Sequence, residues 1–192
     1  MTDHPISRFL VPAIEDLPDD VRAQILEVQA STGFVPNVFL VLAHRPDEFR
    51  AFFAYYDALM TRDGGLTKAD REMIVVTTSS LNHCHYCVGA HGAMLRIFSK
   101  DPLLADQVAI NYRRADITLR QMAMLDFAAL MATDSHLASD DDFDELRTHG
   151  FTDEDIWDIG AITALFALSN RMANLTAMRP NDEFYSMARQ PS

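Results

Sequence analysis

The chain has 192 residues, 48% of them apolar, with 16 basic and 28 acidic side chains. That size and content fit a single domain with a sizeable core, and the formal net charge of −12 disfavours nucleic acid and anionic membranes as partners. No run approaches the roughly 20 apolar residues of a membrane span, and Met1-Thr2-Asp3-His4-Pro5 lacks an apolar h-region, so no signal peptide and a cytoplasmic location are expected.

Residues 1–20 are rich in Pro and Asp and are expected to run extended over the surface as an arm. Asp19-Asp20 followed by Val21, Ile25 and Val28 reads as a short helix that ends near Gly33. Asn37 is expected to cap a second short helix, Val38 to Ala43. His44-Arg45-Pro46-Asp47 breaks the chain, and Glu48 to Met60 then puts Phe49, Phe52, Phe53, Tyr56, Leu59 and Met60 on one broad apolar face. Thr67-Lys68-Ala69-Asp70 has the form of a capping box and opens a helix through Glu72, Ile74 and Val75 toward Ser79. Its β-branched residues admit a strand, but the stretch is long for one and the cap signal is clear.

The next helix is expected from about His83 to Phe98, stopped by Ser99-Lys100-Asp101-Pro102. Leu103 to Asn111 is a shorter one. Thr118-Leu119-Arg120-Gln121 caps a helix to about Thr133, with Leu125, Ala128, Ala129 and Met131 turned inward. Asp134 to Asp142 is expected as a solvated acidic loop, and Phe143 to His149 as a short helix closed by Gly150. Thr152-Asp153-Glu154-Asp155 starts the last long helix, to about Met178, before Arg179-Pro180-Asn181-Asp182. No strand-like alternation of any length appears, so the chain reads as all-α. It forms one domain over 1–192, with the arm at 1–20 and a motif region at 48–133.

The chemistry concentrates in Ser79 to His91. This stretch holds both cysteines of the protein, Cys84 and Cys87, and three of its seven histidines. On a helix, Cα atoms three apart are about 5 Å apart, inside the ~4.4–6.8 Å window of a disulfide. Cys87 and His91 are four apart and share a face. With Asn82 as N-cap, Cys84 would lie in the first turn, where the helix dipole favours thiolate. His83 and His85 read as solvent-exposed neighbours, and Tyr86 as half-packed, its hydroxyl near the thiols and able to hand on a proton.

Glu72 enters through topology. On one straight helix it would lie about 18 Å from Cys84. If the chain turns back at the polar Ser79–His83 stretch, an antiparallel hairpin results whose midpoint is equidistant from Glu72 and His91. The carboxylate would orient the imidazole and leave its other nitrogen free for Cys87, the orienter–base–nucleophile logic of activated thiols.

These residues resemble the alkylhydroperoxidase D (AhpD) family, within the carboxymuconolactone decarboxylase-like superfamily, and its peroxidase-related branch in particular. The resemblance rests on Glu72 with Cys84-x-x-Cys87-x-x-x-His91, on Gly33-Phe34-Val35-Pro36-Asn37, on Leu42-Ala43-His44-x-Pro46 and on Arg179-Pro180-Asn181. It implies an AhpD-like helical bundle that forms a homo-oligomer (dimer, trimer or hexamer). It also implies a thiol peroxidase for hydrogen or alkyl peroxides whose redox group is the Cys84–Cys87 disulfide, with no bound cofactor or metal. Cys87 attacks the peroxide with help from His91 and Glu72, and Cys84 resolves the sulfenic acid. An external dithiol, a lipoyl protein or a thioredoxin-like protein, restores the pair. Where the best-known branch has a second histidine just before the second cysteine, this chain has Tyr86. Two other readings stand beside this one: a disulfide oxidoreductase or adaptor without strong peroxidase activity, and a zinc-binding helical module using Cys84, Cys87 and His91 with Glu72 or His83.

Overall fold

The computed structural model describes residues 5–190, so Met1 to His4 of the expected arm lie outside the described residues. Among those described, the secondary structure is helical with no strand. The first half contains α1 (Asp19–Thr32), α2 (Asn37–Leu42), α3 (Pro46–Met60), α4 (Lys68–Leu81) and α5 (His85–Ser99). The second half contains α6 (Leu104–Asn111), α7 (Leu119–Thr133), α8 (Asp140–Thr148), α9 (Asp153–Thr176) and α10 (Glu183–Ser186). No helix is long and apolar enough to cross a membrane among the described residues.

α4 is the central element. Every residue from Asp70 to Ser79 is buried, and the helix packs against α5, α6, α7 and α9. A helix enclosed on all sides needs apolar character around its whole circumference. The run Met73-Ile74-Val75-Val76 supplies it, and this is why β-branched residues of modest helix propensity are tolerated here: tertiary packing decides. α3 presents Phe49, Phe53, Leu59 and Met60 fully inward, with Phe52 and Tyr56 packed at the margin.

Local signals fix the helix starts. Thr67 with Asp70, Thr118 with Gln121 and Thr152 with Asp155 each form a reciprocal capping box, worth about 1 kcal/mol apiece. Beneath the core, Arg71 and Asp158 form a buried ion pair at 3.0 Å. Arg71 also donates to the Leu59 carbonyl at 2.7 Å, so the guanidinium ties α4 to both α3 and α9.

Five expectations are corrected. The acidic stretch is not all loop: Ser135–Leu137 is a 3-10 turn and α8 begins at Asp140, because the Asp142 carboxylate accepts the Ser139 N–H at 2.8 Å and three acids suit a helix start. In α7 the fully buried residues are Met124, Leu125, Phe127 and Ala128, with Ala129 and Met131 only partly covered. Asn37 does not cap α2. Its side chain donates to the Arg179 carbonyl at 2.8 Å, its backbone N–H donates to Asn181 Oδ1 at 2.8 Å, and Asn181 returns a bond to the Val35 carbonyl at 2.9 Å. The two flanking motifs, far apart in sequence, thus clasp each other. The other two corrections concern Asn82 and Tyr86.

Candidate active site

Asn82 closes α4 rather than opening α5. Its amide donates to the Thr78 carbonyl at 3.0 Å and to Asn170 Oδ1 at 3.1 Å, so it is not free to cap. His83 takes a left-handed φ of 51°, which reverses the chain, and Cys84 is itself the N-cap of α5. Its sulfur accepts the Cys87 N–H at 3.3 Å. The first sulfur therefore sits on the helix end, held by one of the amides that has no partner within the helix.

The turn produces the expected hairpin. Glu72 Oε2 lies 2.7 Å from His91 Nδ1. Glu72 is 3% exposed and His91 largely covered. A carboxylate at Nδ1 makes that nitrogen the donor and leaves Nε2 for another partner. The ring is fixed edge-on to Phe166 with centroids 4.7 Å apart, and Tyr56 stands beyond at 6.4 Å. Cys87, His91, Tyr86 and Ser169 all line one cavity of about 300 Å³, walled mainly by Phe34, Phe39, Phe52, Phe53, Phe166 and Phe184.

Both cysteines are nearly inaccessible, Cys84 at 1% and Cys87 at 2% exposure. Their chemistry differs. The Cys84 thiol is brought down to about 7, first by the Cys87 S–H that donates to it, against the opposing effect of burial. The Cys87 backbone N–H, the Asn170 amide and the charge of His91 act in the same downward direction. The Cys87 thiol is pushed up, first because its S–H is engaged by Cys84 and then by burial. Ser169 and Asn170 oppose that rise. The two shifts run in opposite directions, so Cys84 is the lower thiol of the pair, while Cys87 is the cysteine that lines the cavity.

Tyr86 is buried rather than half-packed. Its hydroxyl accepts the Val38 N–H at 3.1 Å, and burial pushes its pKa up, so it remains a neutral phenol. His83 and His85 are exposed as expected; His85 Nε2 lies 2.6 Å from the Tyr185 hydroxyl. No three His, Cys, Asp or Glu side chains among the described residues are placed to share a metal ion.

Sequence reasoning missed Ser169 and Asn170. Asn170 is fully buried and its amide donates to Ser79 Oγ at 2.9 Å while its oxygen accepts from Asn82. Ser169 Oγ lies 3.8 Å from Cys87 Sγ. A signal existed: Asn170 falls on the core face of α9 with Ile159, Ile162, Thr163, Phe166 and Ala173 at helical spacing, and a polar residue on such a face requires a partner.

A family model, the Carboxymuconolactone decarboxylase family, matches residues 46–109. Among solved structures, the alkylhydroperoxidase AhpD core of a peroxidase-related protein from Ralstonia eutropha JMP134 is 68% identical with a TM-score of 0.97, covering 98% of this chain and 100% of that one. A peroxidase-related protein from Silicibacter sp. TM1040 is 41% identical with a TM-score of 0.93, covering 98% and 99%. Sestrin-2 of Bos taurus is 28% identical over 119 residues, which is 62% of this chain and 24% of that protein. The chain therefore spans about a quarter of the length of the curated relatives it matches.

Proposed function

The chain belongs to the AhpD-like, peroxidase-related branch of the carboxymuconolactone decarboxylase superfamily, and from that premise we propose that it is a thiol-dependent peroxidase acting on hydrogen and alkyl peroxides through Cys84 and Cys87. The observation that carries the reading is the 2.7 Å Glu72–His91 contact on the wall of the cavity that Cys87 also lines.

His91, oriented by Glu72, takes one proton of the dithiol through Nε2 and becomes an imidazolium paired with the carboxylate. The remaining proton is shared between the sulfurs. When it moves from Cys87 to Cys84, the thiolate faces the cavity without a second negative charge arising. Cys87 attacks the terminal oxygen of ROOH: an S–O bond forms, the O–O bond breaks, and the departing alkoxide takes the His91 proton and leaves as ROH. His91 then accepts the Cys84 proton as that sulfur attacks the sulfenic sulfur, and returns it to the departing hydroxide to give water. The product is the Cys84–Cys87 disulfide, which an external dithiol, a lipoyl protein or a thioredoxin-like protein, reduces by exchange.

Tyr86 belongs to this site as a neutral wall residue that anchors α2 through Val38, with its own hydroxyl proton available to the cavity. The test is peroxide consumption with a panel of dithiol donors that includes dihydrolipoamide-bearing proteins and thioredoxin. C87S is expected to consume none, and C84S to stop at a sulfenic acid after one turnover. Retained turnover in C87S would overturn the nucleophile assignment.

A second reading has a specific observation behind it. The low thiol is Cys84, which suits a disulfide oxidoreductase or adaptor whose first cysteine attacks. A mixed disulfide that accumulates on Cys84 in C87S, without peroxide turnover in the intact protein, would favour it.

A further inference from the structure

Ser169 occupies an unusual position in α9. Serine and threonine within a helix commonly bond back to the carbonyl one turn earlier. Thr163 does so to Ile159 at 2.8 Å, and Thr176 to Met172 at 2.9 Å. The Ser169 hydroxyl instead has its contact with Cys87 Sγ at 3.8 Å. It is 9% exposed and forms part of the wall of the Cys87 cavity.

We propose that Ser169 is a further catalytic residue, whose hydroxyl donates to the Cys87 sulfur and so draws negative charge of the dithiol toward the cysteine that faces the cavity. The inference rests on the dithiol chemistry proposed above and lessens its main difficulty. Burial and the S–H contact leave the thiolate on Cys84, away from the cavity. A proton shared by two adjacent sulfurs is a balance between two near-equivalent arrangements, and one donor aimed at one sulfur tilts it. A hydrogen bond to a charged acceptor is stronger than one to a neutral acceptor, so the hydroxyl favours charge on Cys87 selectively. Cys84 receives the Cys87 N–H in opposition. The Asn170 amide lowers both thiols and so does not choose between them, whereas the Ser169 hydroxyl contacts Cys87.

The experiment compares reduced wild-type protein with S169A, S169T and S169V, treated briefly with iodoacetamide. Peptide mapping then gives the ratio of label on Cys87 to label on Cys84. S169A is expected to lower that ratio by roughly tenfold, the effect of one charge-assisted bond. S169T and S169V have the same shape and differ in the hydroxyl, so the ratio should remain near wild type in the former and fall in the latter. Equal ratios in S169T and S169V would overturn the proposal, whatever S169A does to folding. No peroxide enters this measurement. A wild-type protein that consumes no peroxide yet shows the predicted labelling pattern would refute the peroxidase reading and leave the Ser169 assignment standing.

Discussion

Glu72 and His91 are nineteen residues apart in sequence and 2.7 Å apart in space, joined across the turn between α4 and α5. The α4 partner is rigid because that helix is enclosed by four others. The α5 partner is rigid because Phe166 holds its ring edge-on. The imidazole is therefore oriented before any substrate arrives, which is what an acid–base group requires.

Replacing Glu72 by Gln keeps the shape and an acceptor oxygen for His91 Nδ1 but removes the charge. Peroxide turnover is expected to fall by about 10²–10⁴-fold, the range of a lost acid–base group, with the melting temperature little changed. Steady-state rates for E72Q across pH check it, and a rate within twofold of wild type would remove Glu72 from the relay.

The thiolate should form near neutral pH. Because the Cys84 thiol lies at about 7 rather than 9.0, thiolate is present above that value and is lost as the pH falls through it. Ultraviolet absorbance of the reduced protein should rise with a midpoint near pH 7, and peroxide consumption should fall on the acid side. C87A removes the S–H donor that is the main cause of the shift, so its midpoint should move up toward the ordinary thiol range.

Tyr86 distinguishes a wall from a relay. Y86F removes the acceptor for the part-buried Val38 N–H and should cost about 1 kcal/mol of stability, the net contribution of a typical hydrogen bond. Turnover should change by only a few-fold. A loss as large as that of E72Q would place the phenol proton in the transition state.

Arg71 supports the core rather than the chemistry. R71M leaves Asp158 buried with only the half-exposed Arg62, 3.2 Å away, to balance it. Breaking a buried pair from one side costs about 3–5 kcal/mol, and Arg62 should hold the loss near the lower figure. Urea denaturation measures it, and an unchanged midpoint would mean that Arg62 replaces Arg71 fully.

Much of this protein is legible in the chain itself, because the signals are local. Thr67, Thr118 and Thr152 mark helix starts through bonds that reach only three residues. The C-x-x-C spacing fixes that the two sulfurs share a helix end. The equal sequence distance of Glu72 and His91 from a polar break fixes that they meet if the chain folds back there. Two of the errors came where a local signal had a distant competitor. Asn82 and Asn37 have the chemistry of caps, yet Asn170 and Arg179 claim their side chains from across the fold.

Only the tertiary structure decided how the dithiol is tuned. Cys84 and Cys87 are equivalent as letters. They become a low thiol and a high one because one sulfur caps α5 beside Asn170 while the other faces a phenylalanine-lined cavity and the Ser169 hydroxyl. Charge placement depends on distance and burial, which arise when α9 packs against α5, and no spacing within residues 79–91 encodes that approach.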